Sequence, residues 1–276
     1  MCRLYIFQAN EPTKVECPLV YAQNALMMQS IKDTTAGMSH AHGWGIATYK
    51  GILGSDGVPR AKRQAWAAYH GEHFEKAAAG IYSTTVLAHV RRATVGEPAL
   101  KNTHPFVHDH WAFAHNGTVP GFQMFKEQMV EETAEIYRPH IAGETDSEHV
   151  FYFFLTYCLR YPDRPILENL RAAIQQIYQW SGEYAPKGKM GLNLLFTDGR
   201  HLYGSRIGRT LFYTRHEGVY DCEICGFPHI HHAPSIDYRA IDIASEPITR
   251  TDNWTTIPEQ SLFHVDESFI LHREAL

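Results

Sequence analysis

The chain opens Met1-Cys2-Arg3-Leu4-Tyr5-Ile6-Phe7-Gln8-Ala9. Leu4 to Ala9 is apolar and aromatic, and it reads as a strand that starts almost at the first residue. Chain ends usually fray, so an end held in a sheet asks for a reason. Cys2 offers one. Met1 precedes a small side chain, and its removal would leave Cys2 with a free α-amine and a thiol on one residue. An α-amine titrates near ~7.7–8.0 and a lysine amine near ~10.4, so at neutral pH the α-amine can accept the thiol proton. The thiol itself starts near ~8.5 and needs little help to attack. Taken alone, Met1-Cys2 is better read as an ordinary buried Cys at the head of a strand. The rest of the chain has to overturn that reading.

Composition narrows the function classes. The 276 residues are 44% hydrophobic and 20% charged, with a net charge of -5, enough for a sizeable core and too acidic for a general nucleic-acid or anionic-membrane binder. No run of about 18 apolar residues marks a membrane span, and the N-terminus lacks the basic-then-apolar pattern of a signal peptide. Cys2, Cys17, Cys158, Cys222 and Cys225 are an odd set with no disulfide pattern, so the expected compartment is the cytoplasm.

Further along, Pro18 to Ile31 and Gln64 to Ala79 read as helices, and Trp44 to Tyr49 and Thr84 to Arg91 as strands. His110 to His115 alternates as a strand, and Asn116-Gly117 behind it carries a turn signal. Phe122 to Glu135 is helical. Thr145-Asp146-Ser147-Glu148 has the form of a capping box opening a long apolar helix through Tyr161. Pro165 to Trp180 reads as another helix. Gly191 to Thr197, Asp198-Gly199 and His201 to Ser205 form a hairpin, with further strands at Thr210 to Arg215, Arg239 to Ser245, Thr255 to Ile257 and Ser268 to His272. Strands and helices come in blocks, which predicts an α+β fold with antiparallel sheets. No repeat or linker divides the chain. One domain over residues 1–276 is expected, with an inserted loop at 217–238 that holds Cys222, Cys225, His229, His231 and His232.

Five pieces now stand in order: Met1-Cys2; Ala88-His89-Val90-Arg91-Arg92-Ala93-Thr94-Val95-Gly96-Glu97-Pro98; Asn102-Thr103-His104-Pro105-Phe106; His115-Asn116-Gly117; and Thr145-Asp146-Ser147-Glu148. The set resembles the class II glutamine amidotransferases, which are N-terminal-nucleophile hydrolases. It is similar above all to stand-alone members such as the ergothioneine-pathway and glutathione-degradation amidohydrolases. The likeness runs from Cys2 to Ala244-Ser245-Glu246-Pro247 and the closing strands. It implies a four-layer αββα sandwich of two antiparallel sheets. By the same resemblance Cys2 attacks a glutamine side-chain amide and forms a γ-glutamyl thioester, with its own α-amine as base. Asn116 and the Gly117 N–H form the oxyanion hole. Arg91 holds the substrate α-carboxylate and Asp146 its α-ammonium. Those last two roles also make chemical sense without the family: a free α-amino acid carries one fixed anion and one fixed cation, and a selective site needs a charge opposite each. Thr94, His104 and Trp44 match positions near the substrate, though a core aromatic describes Trp44 as well.

The reaction needs no cofactor. Its small-molecule partner would be glutamine or a γ-glutamyl compound, with water resolving the thioester. Loops such as Lys50 to Ala61 and Glu217 to Tyr238 would then read the leaving group. Alternatively the chain is a glutaminase subunit feeding ammonia to a separate synthase. Two readings from other classes also stand: a non-catalytic binding module, and a metal site. For the latter, Cys222-x2-Cys225 is a zinc half-site with His229, His231 and His232 nearby, but it lacks a second well-spaced pair. His40-x-His42 and His108-x-His110 are weaker candidates of the same kind.

Overall fold

A computed structural model describes residues 2–34, 37–49, 57–219, 221–230 and 237–276. β1 (Arg3–Lys14) is the middle strand of a seven-stranded antiparallel sheet in the order β11-β9-β10-β1-β4-β2-β3. The other members are β2 (Trp44–Tyr49), β3 (Pro59–Gln64), β4 (Tyr82–Val90), β9 (Phe212–Glu217), β10 (Arg239–Ala244) and β11 (Thr255–Thr256). A six-stranded antiparallel sheet runs β13-β12-β8-β7-β6-β5. It contains β5 (Phe106–His108), β6 (Trp111–Thr118), β7 (Gly191–Thr197), β8 (Leu202–Arg206), β12 (Ser261–Val265) and β13 (Leu271–Ala275).

The period-2 alternation of strands sorts side chains into three cores. Leu4, Ile6, Leu87 and Ala47 of the first sheet meet Ala112, Ala114, Leu195 and Phe263 of the second in the central layer. On the outer face of the first sheet, Tyr5, Phe7, Trp44, Val86 and Ala88 pack under α1 (Leu26–Ile31) and α2 (His73–Ala79). On the outer face of the second, Phe113, Leu194 and Phe196 pack under α3 (Phe122–Glu132), α4 (Asp146–Arg160) and α5 (Ile166–Tyr184). The layers are therefore αββα, as the resemblance implied. Among the described residues no helix is long and apolar enough to cross a membrane.

Three local expectations change. Pro18 to Ile31 is two short turns: a widened turn over Cys17–Tyr21, then α1, because Ala22 and Ala25 take extended backbone angles. The amino end of the expected 64–79 helix belongs to β3 and a loop, since Gln64 pairs with Trp44 across the sheet. Asn116-Gly117 makes no turn. β6 runs straight through it, with Asn116 opposite Asn193 and Gly117 opposite Leu192. A Cβ on Gly117 would stand 1.9 Å from the Gly191 carbonyl oxygen, so glycine serves close strand approach here instead of a hairpin.

The cores enclose several histidines. Burial draws His40 and His149 down to about 4. In the unfolded chain each would titrate near ~6.5. Between those values the unfolded state binds more protons than the folded one, so stability falls as pH drops through that window. Chemical denaturation should show a loss of about 2 kcal/mol per histidine between pH 7 and pH 5. Unfolding free energy that is flat or rising over that interval would contradict this assignment.

Candidate active site

The same parity that builds the central layer aims the predicted residues at one another. Leu4 and Ile6 point between the sheets, and Cys2 stands two residues ahead of Leu4, just before β1 begins. Asn116 shares the side of Ala112 and Ala114 on β6. The two residues meet at the end of the sandwich, where Cys2 N donates to Asn116 Oδ1 at 3.0 Å. With Met1 attached this nitrogen is a peptide N–H; after Met1 removal it would be the α-amine. Asn116 is anchored through its oxygen, and its amide nitrogen makes one long contact of 3.4 Å to Ser245 Oγ.

The Cys2 thiol is held by the chain just past β4. Arg92 N donates to Sγ at 3.4 Å, and Sγ lies 3.6 Å from Arg92 O. Burial pushes the thiol above its ordinary pKa and Asp146 adds to that; the Arg92 N–H and the positive charge of Arg91 oppose it. The thiol is therefore protonated at neutral pH and needs a base in order to attack. Ala93 N donates to His42 Nδ1 at 2.9 Å, which fixes the loop beside the sulfur and gives His42 a structural duty in place of a metal.

Arg91 is 2% exposed and leaves β4 beside Cys2, since Arg3 pairs with Val90. Its guanidinium donates to Glu97 O at 2.9 Å, Val95 O at 2.8 Å and Gly96 O at 3.2 Å, so it folds the 95–97 turn around itself. These bonds leave further donors of its five N–H groups available. Thr94 is exposed in the same loop. Asp146, 4% exposed at the first turn of α4, accepts from Val119 N at 2.8 Å. Thr145 Oγ1 caps the helix by accepting Glu148 N at 3.3 Å. The Glu148 carboxylate, however, turns back to Ala142 N and Gly143 N instead of closing the expected box. The Arg91 and Asp146 charges reach each other and the Cys2 thiol. Between β6 and α4, His115 Nε2 donates to Gly191 O at 2.8 Å and Nδ1 accepts from Ser147 at 2.9 Å. Burial lowers the His115 pKa, which favours the neutral ring, with the Nε2 proton on the Gly191 side.

Two expected residues are packed into other surroundings. Trp44 alternates to the outer face of its sheet and packs edge-on against Phe74, ring centroids 5.1 Å apart; it is a core aromatic. His104 is buried, its ring tilted 35° to that of His89 with centroids 4.2 Å apart, and burial keeps it neutral. Its carbonyl oxygen would lie 2.2 Å from a Cβ on Gly45, so this segment presses on the bare backbone of β2. The loop 217–238 is also remote in its described part. Lys14, which bonds the His229 carbonyl, pairs with Tyr82, eight residues along β4 from the Val90 that faces Arg3, or about 26 Å away. Residues 50–56, and His231 and His232, lie outside the described residues. His40 is bound to Asp33 at 2.8 Å and is not a free ligand.

Several supporting residues had no sequence motif. Arg3, 2% exposed, donates to the Cys2 carbonyl at 2.9 Å and sits 2.9 Å from Asp33 Oδ2 and 2.8 Å from Glu246 Oε1. Ser245 Oγ accepts Leu4 N at 2.9 Å, and Ser245 N donates to Leu4 O at 3.0 Å. One signal was present: a lone Arg beside Cys2 in an otherwise apolar strand must be paired if it is buried.

A sequence profile of the class II glutamine amidotransferases matches residues 1–271. An Escherichia coli (strain K12) protein that carries the name glutamine amidotransferase YafJ is 39% identical over 127 residues, which is 44% of this chain and 45% of that protein. The chain spans less than half the length of that curated relative and of two others. The gamma-glutamyl-hercynylcysteine sulfoxide hydrolase of Mycolicibacterium smegmatis is 24% identical over 274 residues, 98% of both chains. Among solved structures, a Pseudomonas aeruginosa protein described as a predicted glutamine amidotransferase aligns with a TM-score of 0.61 at 27% identity, over 97% of this chain and 98% of that one.

The Arg3 network carries a prediction of its own. Arg3→Met leaves two buried carboxylates without their cation and should cost about 3–5 kcal/mol. Urea denaturation measures it, and a loss under ~1 kcal/mol would show the network to be dispensable.

Proposed function

The chain belongs to the class II glutamine amidotransferases, and from that premise we propose that it hydrolyses the γ-amide of glutamine or of a γ-glutamyl compound, with Cys2 as nucleophile. The observation that carries the reading is the meeting of Cys2, just ahead of β1, with Asn116 of β6 in the other sheet, N to Oδ1 at 3.0 Å, beside the buried charges Arg91 and Asp146. Among the described residues neither charge closes a salt bridge, which supports reading them as partners of the two charges of an amino-acid head.

The steps follow from the groups present. Met1 removal exposes the Cys2 α-amine, which takes the thiol proton as Sγ attacks the amide carbon. Negative charge gathers on the former carbonyl oxygen, where the Asn116 amide N–H and the Gly117 N–H stabilise it. The C–N bond then breaks, and the α-ammonium returns its proton to the departing ammonia or amine. A γ-glutamyl thioester remains on Cys2. Water attacks it, the amine again accepting a proton, and glutamate and free thiol are released. Arg91 holds the α-carboxylate through the N–H groups that its turn does not use, and Asp146 holds the α-ammonium. Thr94 serves the substrate from the turn that Arg91 shapes. His104 and Trp44 are assigned to the scaffold.

Likeness over nearly the whole chain to a γ-glutamyl hydrolase favours water as the acceptor over a synthase partner. The test is release of glutamate from glutamine and from γ-glutamyl amines by the isolated, Met1-processed protein. Cys2→Ala should abolish turnover, and Asn116→Ala should lower kcat about 100- to 1000-fold with less effect on KM. Full turnover by Cys2→Ala would sink the mechanism. Turnover that appears only when a second protein is added would favour the subunit reading.

A further inference from the structure

The zinc half-site in the 217–238 loop finds its missing partner at the other end of the chain. Cys17 begins the turn that follows β1, and Cys222, Cys225 and His229 lie on the segment bound along that same end of β1. One ligand atom from each of the four lies within 4.8 Å of the other three. We propose that Cys17, Cys222, Cys225 and His229 bind one Zn²⁺ tetrahedrally, as a structural site remote from Cys2.

Three features support a built site. The first is size: Zn–S bonds of about 2.3 Å in a tetrahedron place sulfurs about 3.8 Å apart, so a cluster of this span needs only slight contraction. Cys225 Sγ already lies 3.4 Å from His229 Nε2. The second is the Cys222–Cys225 turn. Gly226 N donates to Cys222 O at 2.8 Å, and Ile224 N donates to Cys222 Sγ at 3.4 Å. The turn thus closes on itself and points one backbone donor, Ile224 N, at a ligand sulfur, as supporting N–H groups do around a bound metal. The third is anchoring. Lys14 N donates to His229 O at 2.8 Å and Thr13 bridges Ile230, so the His229 backbone is set by β1 before any ion binds. Three sulfurs and one imidazole fill the four positions of zinc and leave none open, which makes the site structural. The ion would tie the β9–β10 connection to the turn after β1, segments more than 200 residues apart in sequence. None of this depends on the reading of Cys2.

The test is metal content by mass spectrometry of protein purified under reducing conditions, with cobalt(II) substitution to report tetrahedral thiolate coordination by its visible d–d bands. About one zinc per chain is expected. It should persist in Cys2→Ala, which excludes capture by the terminal aminothiol. It should fall at least tenfold in Cys17→Ser and in Cys225→Ser, the latter changing an exposed side chain whose variant can be checked for folding by circular dichroism. Chelation should lower the thermal midpoint of the parent protein and not of Cys225→Ser. Reduced protein that contains no zinc and gives no cobalt bands on addition would overturn the proposal. So would metal that survives Cys17→Ser, or metal that is lost with Cys2→Ala.

Discussion

The site rests on holding the second residue of a chain still. An N-terminus has one covalent neighbour and ordinarily frays. Here β1 is paired on both sides, by β4 and β10, up to its first residues. The Arg3 guanidinium then grips the Cys2 carbonyl while its charge is balanced by Asp33 and Glu246. Glu246 in turn binds Asn24 and Thr34, so three chain segments converge on the cation behind Cys2. Asn116 takes the nitrogen from the other side. A buried ion network is poor evidence of net stability, but removal of one member is costly. Its value here is positional: it orders Cys2, which the proposed mechanism needs free at its amine and fixed everywhere else.

Alternation along β1 divides the labour of the molecule. Leu4 and Ile6 face the central layer and the second sheet. Tyr5, Phe7 and Ala9 face the helices over the first sheet. The candidate catalytic groups gather on the inner side at the start of the strand, and the Cys–His cluster gathers at its far end. Chemistry and scaffold are thereby separated by most of the length of one strand. Arg91 shapes the 95–97 turn with some of its N–H groups and leaves others for the ligand role proposed for it. That explains how an arginine tolerates near-complete burial without a carboxylate bonded to it.

Much of this was legible in the sequence, and the failures have physical causes. The Leu4–Ala9 and Thr84–Arg91 strands and the helix through Tyr161 carried clean periodicity, and they are present as Arg3–Lys14, Tyr82–Val90 and Asp146–Arg160. Asn116-Gly117 misled because its turn propensity is local, whereas pairing with β7 and contact with Gly191 are tertiary. Gln64 was drawn into β3 by Trp44, an override that no window of propensities records. β12 (Ser261–Val265) went unread because its alternation is short. The parity of Trp44 was readable: two-residue periodicity from Ala47, an inward residue, sends Trp44 outward. What could not be read was long-range contact. Nothing near Cys17 announces Cys222, and nothing near Arg3 announces Asp33 or Glu246.

The central claim is that Cys2, freed of Met1, is the reacting group in a glutamine-shaped pocket. Intact-mass spectrometry before and after treatment with the glutamine-analogue electrophile 6-diazo-5-oxo-norleucine tests it most directly. The account predicts a chain lacking Met1 that gains one adduct, mapped to Cys2 by peptide sequencing and blocked by excess glutamine. A processed protein that stays unlabelled, or that is labelled at another cysteine while Cys2 remains free, would contradict it.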